Sequence, residues 1–429
     1  NLRRSKQMTT LSAFDAAAIL IVLAAALGYF NVRYFKLPSS VGLTVMGAVS
    51  SLLVIALDAV LPGIGLSVRV TRFLEDLDFH ETLMNGMLSF LLFAGALHVD
   101  WSEMRRGRWP ILILSTVGVC LSTAIVGAGF LLLTQALAIP VPPLWCFVFG
   151  ALISPTDPVA VMGVLKRAAV PPTLQATVAG ESLFNDGVGV VVFAILLSAA
   201  TGTEPFSLGH AGLDFLQEAG GGVLLGIAIG WLSFQAMRSI DEYNVEVLIS
   251  LAVVMGGYSL AHAIHVSGPV AMAVAGLVIG NAAFAHAMSD TTQDYLTKFW
   301  ALVDEILNAV LFLLIGLEVI AIAPDPMLLV LGLLSIPLAI GARILAVGVP
   351  LAVMRPFLSL GKLALPTLVW GGLRGGISIA LALSLPETPL RSAILAATYA
   401  IVLFAVIVQG GSIGRLIARL SRADAGVRP

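Results

Sequence analysis

Apolar residues fall along this chain in long blocks separated by short polar or proline-rich breaks. A helix that crosses a bilayer needs about 20 such residues. Read that way, the blocks predict thirteen membrane helices, the first seven near 11–30, 40–61, 82–98, 109–137, 143–166, 174–200 and 210–236. The other six lie near 244–264, 268–287, 300–323, 327–354, 363–385 and 391–417. The breaks at Pro140–Pro143 and Val266–Pro269 are short. The expected fold class is therefore an all-α polytopic membrane protein.

Composition agrees with the pattern. Of 429 residues, 59% are hydrophobic and 11% charged, against about 25% charged in a soluble domain. A soluble fold of this length could not hide so much apolar surface, because surface grows too fast with size. The net charge of −2 and the lack of a basic region give no reason to expect a nucleic-acid partner. Cys120 and Cys146 both lie inside apolar blocks, which argues against a disulfide scaffold or a cysteine metal site. Arg3, Arg4 and Lys6 precede an apolar run from Leu11, as in a signal peptide. The run to Phe30 is long enough to span, and no small-residue cleavage site follows, so it reads as a first membrane helix. The whole of 1–429 reads as one membrane unit.

Charge fixes an orientation. With thirteen helices, alternate loops share a side, and fifteen of the 23 Lys and Arg fall on one side, among them Arg33, Lys36, Arg105, Arg106, Arg108, Arg238 and Lys298. Six fall on the other, and Arg343 and Arg374 lie within helices. The positive-inside rule then puts the C-terminus in the cytoplasm of a plasma membrane, the inner membrane of a prokaryote. The basic N-terminal tail runs against this assignment.

Two segments cannot be plain helices. The fifth contains Ser154-Pro155-Thr156-Asp157-Pro158. Each proline removes a backbone donor and clashes with the preceding turn, and lipid cannot satisfy the carbonyls set free. The twelfth contains Gly371-Gly372-Leu373-Arg374-Gly375-Gly376, four glycines around a cation. If segments 1–6 and 8–13 are repeats, both breaks sit in the fifth helix of a half. The offset of seven makes the repeats inverted. Interrupted helices at matching positions of inverted repeats point to a transporter's midplane site.

The sixth segment carries Gly180-Glu181-Ser182-Leu183-Phe184-Asn185-Asp186-Gly187. Carboxylates in a membrane helix are costly and usually functional. Ser182 and Asp186, four apart, share one face: a hydroxyl and a carboxylate, hard oxygen ligands for an alkali cation. Glu181 and Asn185 share another, suited to a structural partner. A buried guanidinium needs a buried carboxylate, so Arg343 is paired with Glu181, with Arg374 as the second choice. Arg374 is otherwise expected at the break in segment twelve, offsetting the half-helix ends or Asp157. Glu318 lies in the membrane or near its surface, and the six histidines are scattered and read as loop or packing residues.

A channel would need repeated pore elements. A hydrolase would need a motif such as His-Glu-x-x-His, which is absent from the sequence, or a His near Ser182, which has none close by. Neither is an enzyme site apparent nor a cofactor implied.

Together the three motifs, Gly180-Glu181-Ser182 with Phe184-Asn185-Asp186, Ser154 to Pro158, and Gly372 to Gly376, resemble the sodium/proton exchanger type of monovalent cation/proton antiporter. The resemblance runs through nearly the whole chain. It implies a homodimer whose protomers each have a core, near 109–200 and 327–417, and a dimerisation scaffold, near 11–98 and 210–323. Helices 5 and 12 would cross at their unwound centres, and the core would move against the scaffold as an elevator. Asp186 would bind cation or proton in turn, with Thr156 (main chain and hydroxyl), Asp157 and Ser182 as further ligands of the monovalent cation. Asn185 implies the electroneutral branch, one cation for one proton. The third segment ends Gly95-Ala96-Leu97-His98-Val99-Asp100, and no acidic ligand from it is assigned. The substrates implied are Na+ or Li+ and H+. K+/H+ exchange is the alternative, followed by another ion-coupled transporter.

Overall fold

The named elements are all helical. The computed structural model describes residues 13–61, 65–76, 87–157, 161–162, 165, 170–202, 208–283, 288–321, 325–354, 361 and 363–425. In chain order the helices used below begin with α1 (Ala13–Phe30), α2 (Ser39–Val60), α3 (Leu66–Asp76), α4 (Leu88–Leu97) and α5 (Trp101–Arg106). Next come α6 (Arg108–Ala136), α7 (Pro143–Leu152), α8 (Pro172–Thr201), α9 (Gly212–Arg238) and α10 (Tyr243–Ala263). The remainder are α11 (Gly268–Asn281), α12 (Asp290–Leu317), α13 (Pro326–Met354), α14 (Ala364–Gly371), α15 (Gly376–Leu383) and α16 (Pro389–Leu420).

Among the described residues eight helices are long and apolar enough to cross a membrane, namely α1, α2, α6, α8, α9, α10, α13 and α16. The chain is a multi-pass integral membrane protein, and helices satisfy its backbone where water cannot. Three shorter apolar helices, α4, α7 and α11, fall in predicted segments 82–98, 143–166 and 268–287. The far parts of those segments lie outside the described residues, as do Pro158, His80 and His286 and most of the acidic stretch after Glu75.

Where boundaries differ from the hydropathy reading, capping explains it. The segment expected from 300 starts at Asp290, because Ser289 caps it by accepting from the Thr292 N–H. Its first turns are polar, with an exposed Lys298–Asp294 pair at 2.6 Å, and carry no hydropathy signal. The short α3 was not expected at all. Asp58 at the end of α2 holds its start, accepting from the backbone N–H of Leu66 (2.8 Å) and Ser67 (2.6 Å).

Lipid tails give helices little hydrophobic reason to associate, so close approach and cross-helix hydrogen bonds carry the packing. On α2 and α12, Gly47 and Gly316 face each other, and a Cβ on Gly47 would come within 2.8 Å of the Leu313 carbonyl oxygen. Beside them Thr44 Oγ1 donates to Phe312 O (3.1 Å) and Ser51 Oγ to Leu317 O (2.7 Å). A second glycine row on α9, Gly222, Gly226 and Gly230, lies against α11. Elsewhere α8 packs on α7, and α13 packs on both α6 and α16.

Candidate cation site

Two interrupted stretches meet inside the protein. The helix α7 ends at Leu152, and residues 154–156 have no helical structure. α14 stops at Gly371 and α15 resumes at Gly376. Between these ends the chains run antiparallel for one bridge, where the Asp157 N–H donates to the Leu373 carbonyl at 2.8 Å. The carbonyls of the unwound stretch have no helical donor, and lipid cannot supply one. Arg374, buried at 3% exposure, supplies one: its Nη1 donates to Ser154 O and, at 3.0 Å, to Pro155 O. At Gly375 a Cβ would sit 2.6 Å from Asp157 Oδ2. The missing side chain therefore lets the Asp157 carboxylate lie against the N-terminal turn of α15, where negative charge is favoured.

Helix α8 passes this crossing. Proline at its first turn starts it and Gly202, at φ 74°, ends it, so the acidic motif falls in its continuous middle. One face is fully bonded. Arg343 Nη1 and Nη2 donate to Glu181 Oε1 (2.8 Å) and Oε2 (2.9 Å), and Arg343 Nε and Nη2 reach the Leu368 carbonyl at 3.2 and 3.0 Å. Asn185 Nδ2 donates to Glu181 Oε1 (2.8 Å) and to Thr156 Oγ1 (2.7 Å), while its Oδ1 accepts from the Thr156 N–H (3.1 Å). Asn185 thus ties the unwound stretch to the ion pair. Ser182 Oγ lies 3.0 Å from Thr156 Oγ1.

Asp186 is different. It is 5% exposed, and among the described residues its Oδ1 has no hydrogen-bond partner. A cavity of about 900 Å³ reaches it, bounded by α4, α8, α12 and α15, with Thr156 and Asp157 also in its wall. Further out the wall carries Asp100, Glu103, Asp304 and Glu305, and Lys36 is its one Lys or Arg among the described residues. Charge of one sign along a low-dielectric cleft concentrates ions of the other. Asp100 caps α5, and the Ser102 hydroxyl, with the Ser102 backbone N–H, holds its carboxyl below the usual carboxylate range.

The structure brings Asp186, Asp157, Thr156, Ser182 and Asn185 into one neighbourhood, with Glu181 and Arg343 on its bonded side and Arg374 behind the crossing. Arg374 bonds the carbonyls of Ser154 and Pro155, leaving Glu181 to Arg343. The main-chain N–H of Thr156 is already used by Asn185. Among the polar groups of the cavity wall that drew no attention in the sequence are Asp304, Asn308 and Ser378, the last two each with a buried oxygen lacking a partner among the described residues. No local motif marks them. Glu318 lies outside this cavity wall, buried, accepting from the Tyr399 hydroxyl at 3.1 Å.

Comparisons with known proteins point the same way. The family described as "Sodium/hydrogen exchanger, transmembrane" matches residues 19–419. The Na(+)/H(+) antiporter NhaP of Pseudomonas aeruginosa is 46% identical over 411 residues, covering 95% of this chain and 96% of that one. The Na(+)/H(+) antiporter NhaH of Halobacillus dabanensis is 34% identical over 413 residues, covering 94% and 97%. The sodium proton antiporter MjNhaP1 of Methanocaldococcus jannaschii shares the fold, with a TM-score of 0.73 at 20% identity over 95% of this chain and 98% of that one. With a match along almost its whole length, the chain belongs to the sodium/hydrogen exchanger family.

Proposed function

We propose that this protein exchanges Na+ or Li+ for H+ by alternating access, one for one, with the Asp186 carboxylate as the site both ions share. The observation that carries the reading is a buried acid reached by a cavity of about 900 Å³ lined mostly by acids among its charged groups, with one oxygen unbonded among the described residues, beside two broken helices. A buried carboxylate without a partner is costly as an anion. It becomes neutral by taking a proton, or is compensated by a cation, and these are the two loaded states of an exchanger. Ser182, Thr156 and Asp157 supply further oxygens around the monovalent cation. Potassium would meet the same donors and is the alternative cargo.

Asn185 supports one-for-one exchange, since it places a neutral amide where a second carboxylate would add a charge. The two-part reading, core near 109–200 and 327–417 against scaffold near 11–98 and 210–323, is supported by the tight α2–α12 seam within the scaffold. A crossing with its own capping charges would travel as a unit with the core. Thirteen helices in two inverted repeats and a homodimer in the plasma membrane complete the proposal. With the Lys- and Arg-rich loops in the cytoplasm, this cavity, whose mouth includes Lys36, faces inward.

Cation-driven proton flux in proteoliposomes, read with a pH dye, is the test. Na+ and Li+ in the wild-type protein should each drive it. Asp186→Asn, which keeps size and hydrogen bonding, should fold and give no flux. Substantial exchange by that variant would sink the shared-site reading.

A further inference from the structure

Asn308 is an anomaly on the cavity wall. It lies on α12, one turn beyond Asp304, and both line the cavity that leads to Asp186. It is 94% buried by its 6% exposure. Its Nδ2 donates twice to Asp304, to the backbone carbonyl at 2.9 Å and to Oδ1 at 3.0 Å. Its Oδ1 has no partner among the described residues. The reverse orientation of the amide would set carbonyl oxygen against two Asp304 oxygens, so the geometry around Asp304 forces the bare oxygen. Burying a carbonyl without a donor or cation is costly, and the same residue facing water would avoid it.

We propose that Asp304 and Asn308 form a second monovalent-cation site, on the wall that does not carry Asp186, where the incoming ion is held before it passes to that carboxylate. The inference rests on the antiport reading above and extends it. An Asn carbonyl oxygen beside a carboxylate is a hard-oxygen donor set suited to a partly hydrated alkali ion. The surroundings support a cation over a second anion, since the wall contributes six carboxylates and Lys36 as its one Lys or Arg among the described residues. Two other acids of the wall have structural duties. Asp100 caps α5, and Glu103 bonds Arg106 at 2.6 Å and Thr173 at 2.5 Å. What distinguishes the α12 pair is the Asn308 carbonyl oxygen, a neutral ligand with no hydrogen-bond partner among the described residues. Placing a site on α12, which packs tightly on α2, also gives it a fixed address while α8 carries Asp186 elsewhere.

A weak site that holds sodium in the folded state raises the melting temperature by mass action. The experiment compares melting of the purified protein in detergent without sodium and with about 100 mM NaCl, choline chloride keeping the ionic strength constant. Wild type, Asp186→Asn, and Asp186→Asn combined with either Asn308→Leu or Asp304→Asn are measured. Asp186→Asn should keep a sodium-dependent rise of about 2 °C, and each added substitution should remove it. No rise in Asp186→Asn, or a rise that survives both additions, overturns the second site. In liposomes Asn308→Leu alone should raise the apparent KM for sodium about fivefold, and an unchanged KM likewise overturns it. The two readings fail separately: proton exchange by Asp186→Asn would defeat the shared carboxylate, while the sodium-dependent melting would still report on α12.

Discussion

Glu181 and Asp186 stand on one helix, five positions apart, and both are almost completely buried. Their environments are opposite. Both Glu181 oxygens are taken by one guanidinium, with an amide as a third donor. Asp186 has an oxygen with nothing bonded to it among the described residues and a cavity in front of it. The contrast shows how a membrane helix separates holding from carrying. The satisfied carboxylate fixes α8 to α13 and, through Asn185, to the broken stretch. On the proposed function, the unsatisfied one is left with the free energy to bind an ion. Swapping which face a residue occupies, by one step in sequence, changes its task.

The comparison breaks most visibly on the bonded side. Removing one partner of a buried pair strands a charge at a cost of roughly 3–5 kcal/mol. Glu181→Ala and Arg343→Ala should each lower the melting temperature in detergent sharply. The double variant should lose much less than the sum, since the pair's coupling is then counted once. Simple additivity would show that the pair does no joint work.

On the open side the effect appears in affinity rather than stability. If cation and proton compete for Asp186, the apparent KM for sodium should rise about tenfold for each unit that pH falls below the carboxyl's pKa. The maximal rate should change far less. Initial rates at several symmetric pH values measure it, and a KM that stays flat from acid to alkaline pH would point to separate proton and cation carriers.

The smallest expected effect is none. If one titratable carboxylate holds either one proton or one monovalent cation, as proposed, the site crosses with the same charge in both directions. Imposing a potential with potassium and valinomycin should leave the initial sodium-driven rate unchanged, although moving one net charge through 100 mV involves about 2.3 kcal/mol. A rate that follows the potential would mean a second charge moves, with Asp157 the first candidate.

Much of this arrangement could be read before any coordinates. The i, i+4 spacing sorted Ser182 and Asp186 from Glu181 and Asn185, because a helix repeats its faces at that interval. Arg343 could be matched with Glu181 by charge balance, because neither is tolerable alone in lipid. The breaks were visible as prolines and glycines where a helix should continue. Less visible were polar groups whose meaning depends on distant chain. Asn308 is one amide in a long helix, Ser378 one hydroxyl, and only the cavity between α12, α8 and α15 shows that both have oxygens facing unfilled needs. The start of α12 was missed for a related reason, since hydropathy sees apolar length and not a serine cap. Arg374 was expected at the break, but its choice of the Ser154 and Pro155 carbonyls over Asp157 required knowing how the two stretches cross.

Asn185 sits between the ion pair and the unwound stretch and bonds both. Its amide nitrogen brings two hydrogens, and both are spent, one on Thr156 and one on Glu181. Exchange that NH₂ for an oxygen, as in Asp, and the Thr156 hydroxyl can turn to donate, but the Glu181 carboxylate faces a second acceptor at hydrogen-bond range. The hydrogen for that contact would have to come from solution, because two carboxylates so close cannot both stay ionised. A protein with Asp at this place would therefore import a proton merely to keep its crossing tied, and would release it whenever the tie loosened. Counting ions per cycle and bracing the broken helix are then one atomic choice, settled by whether position 185 arrives with its own hydrogens.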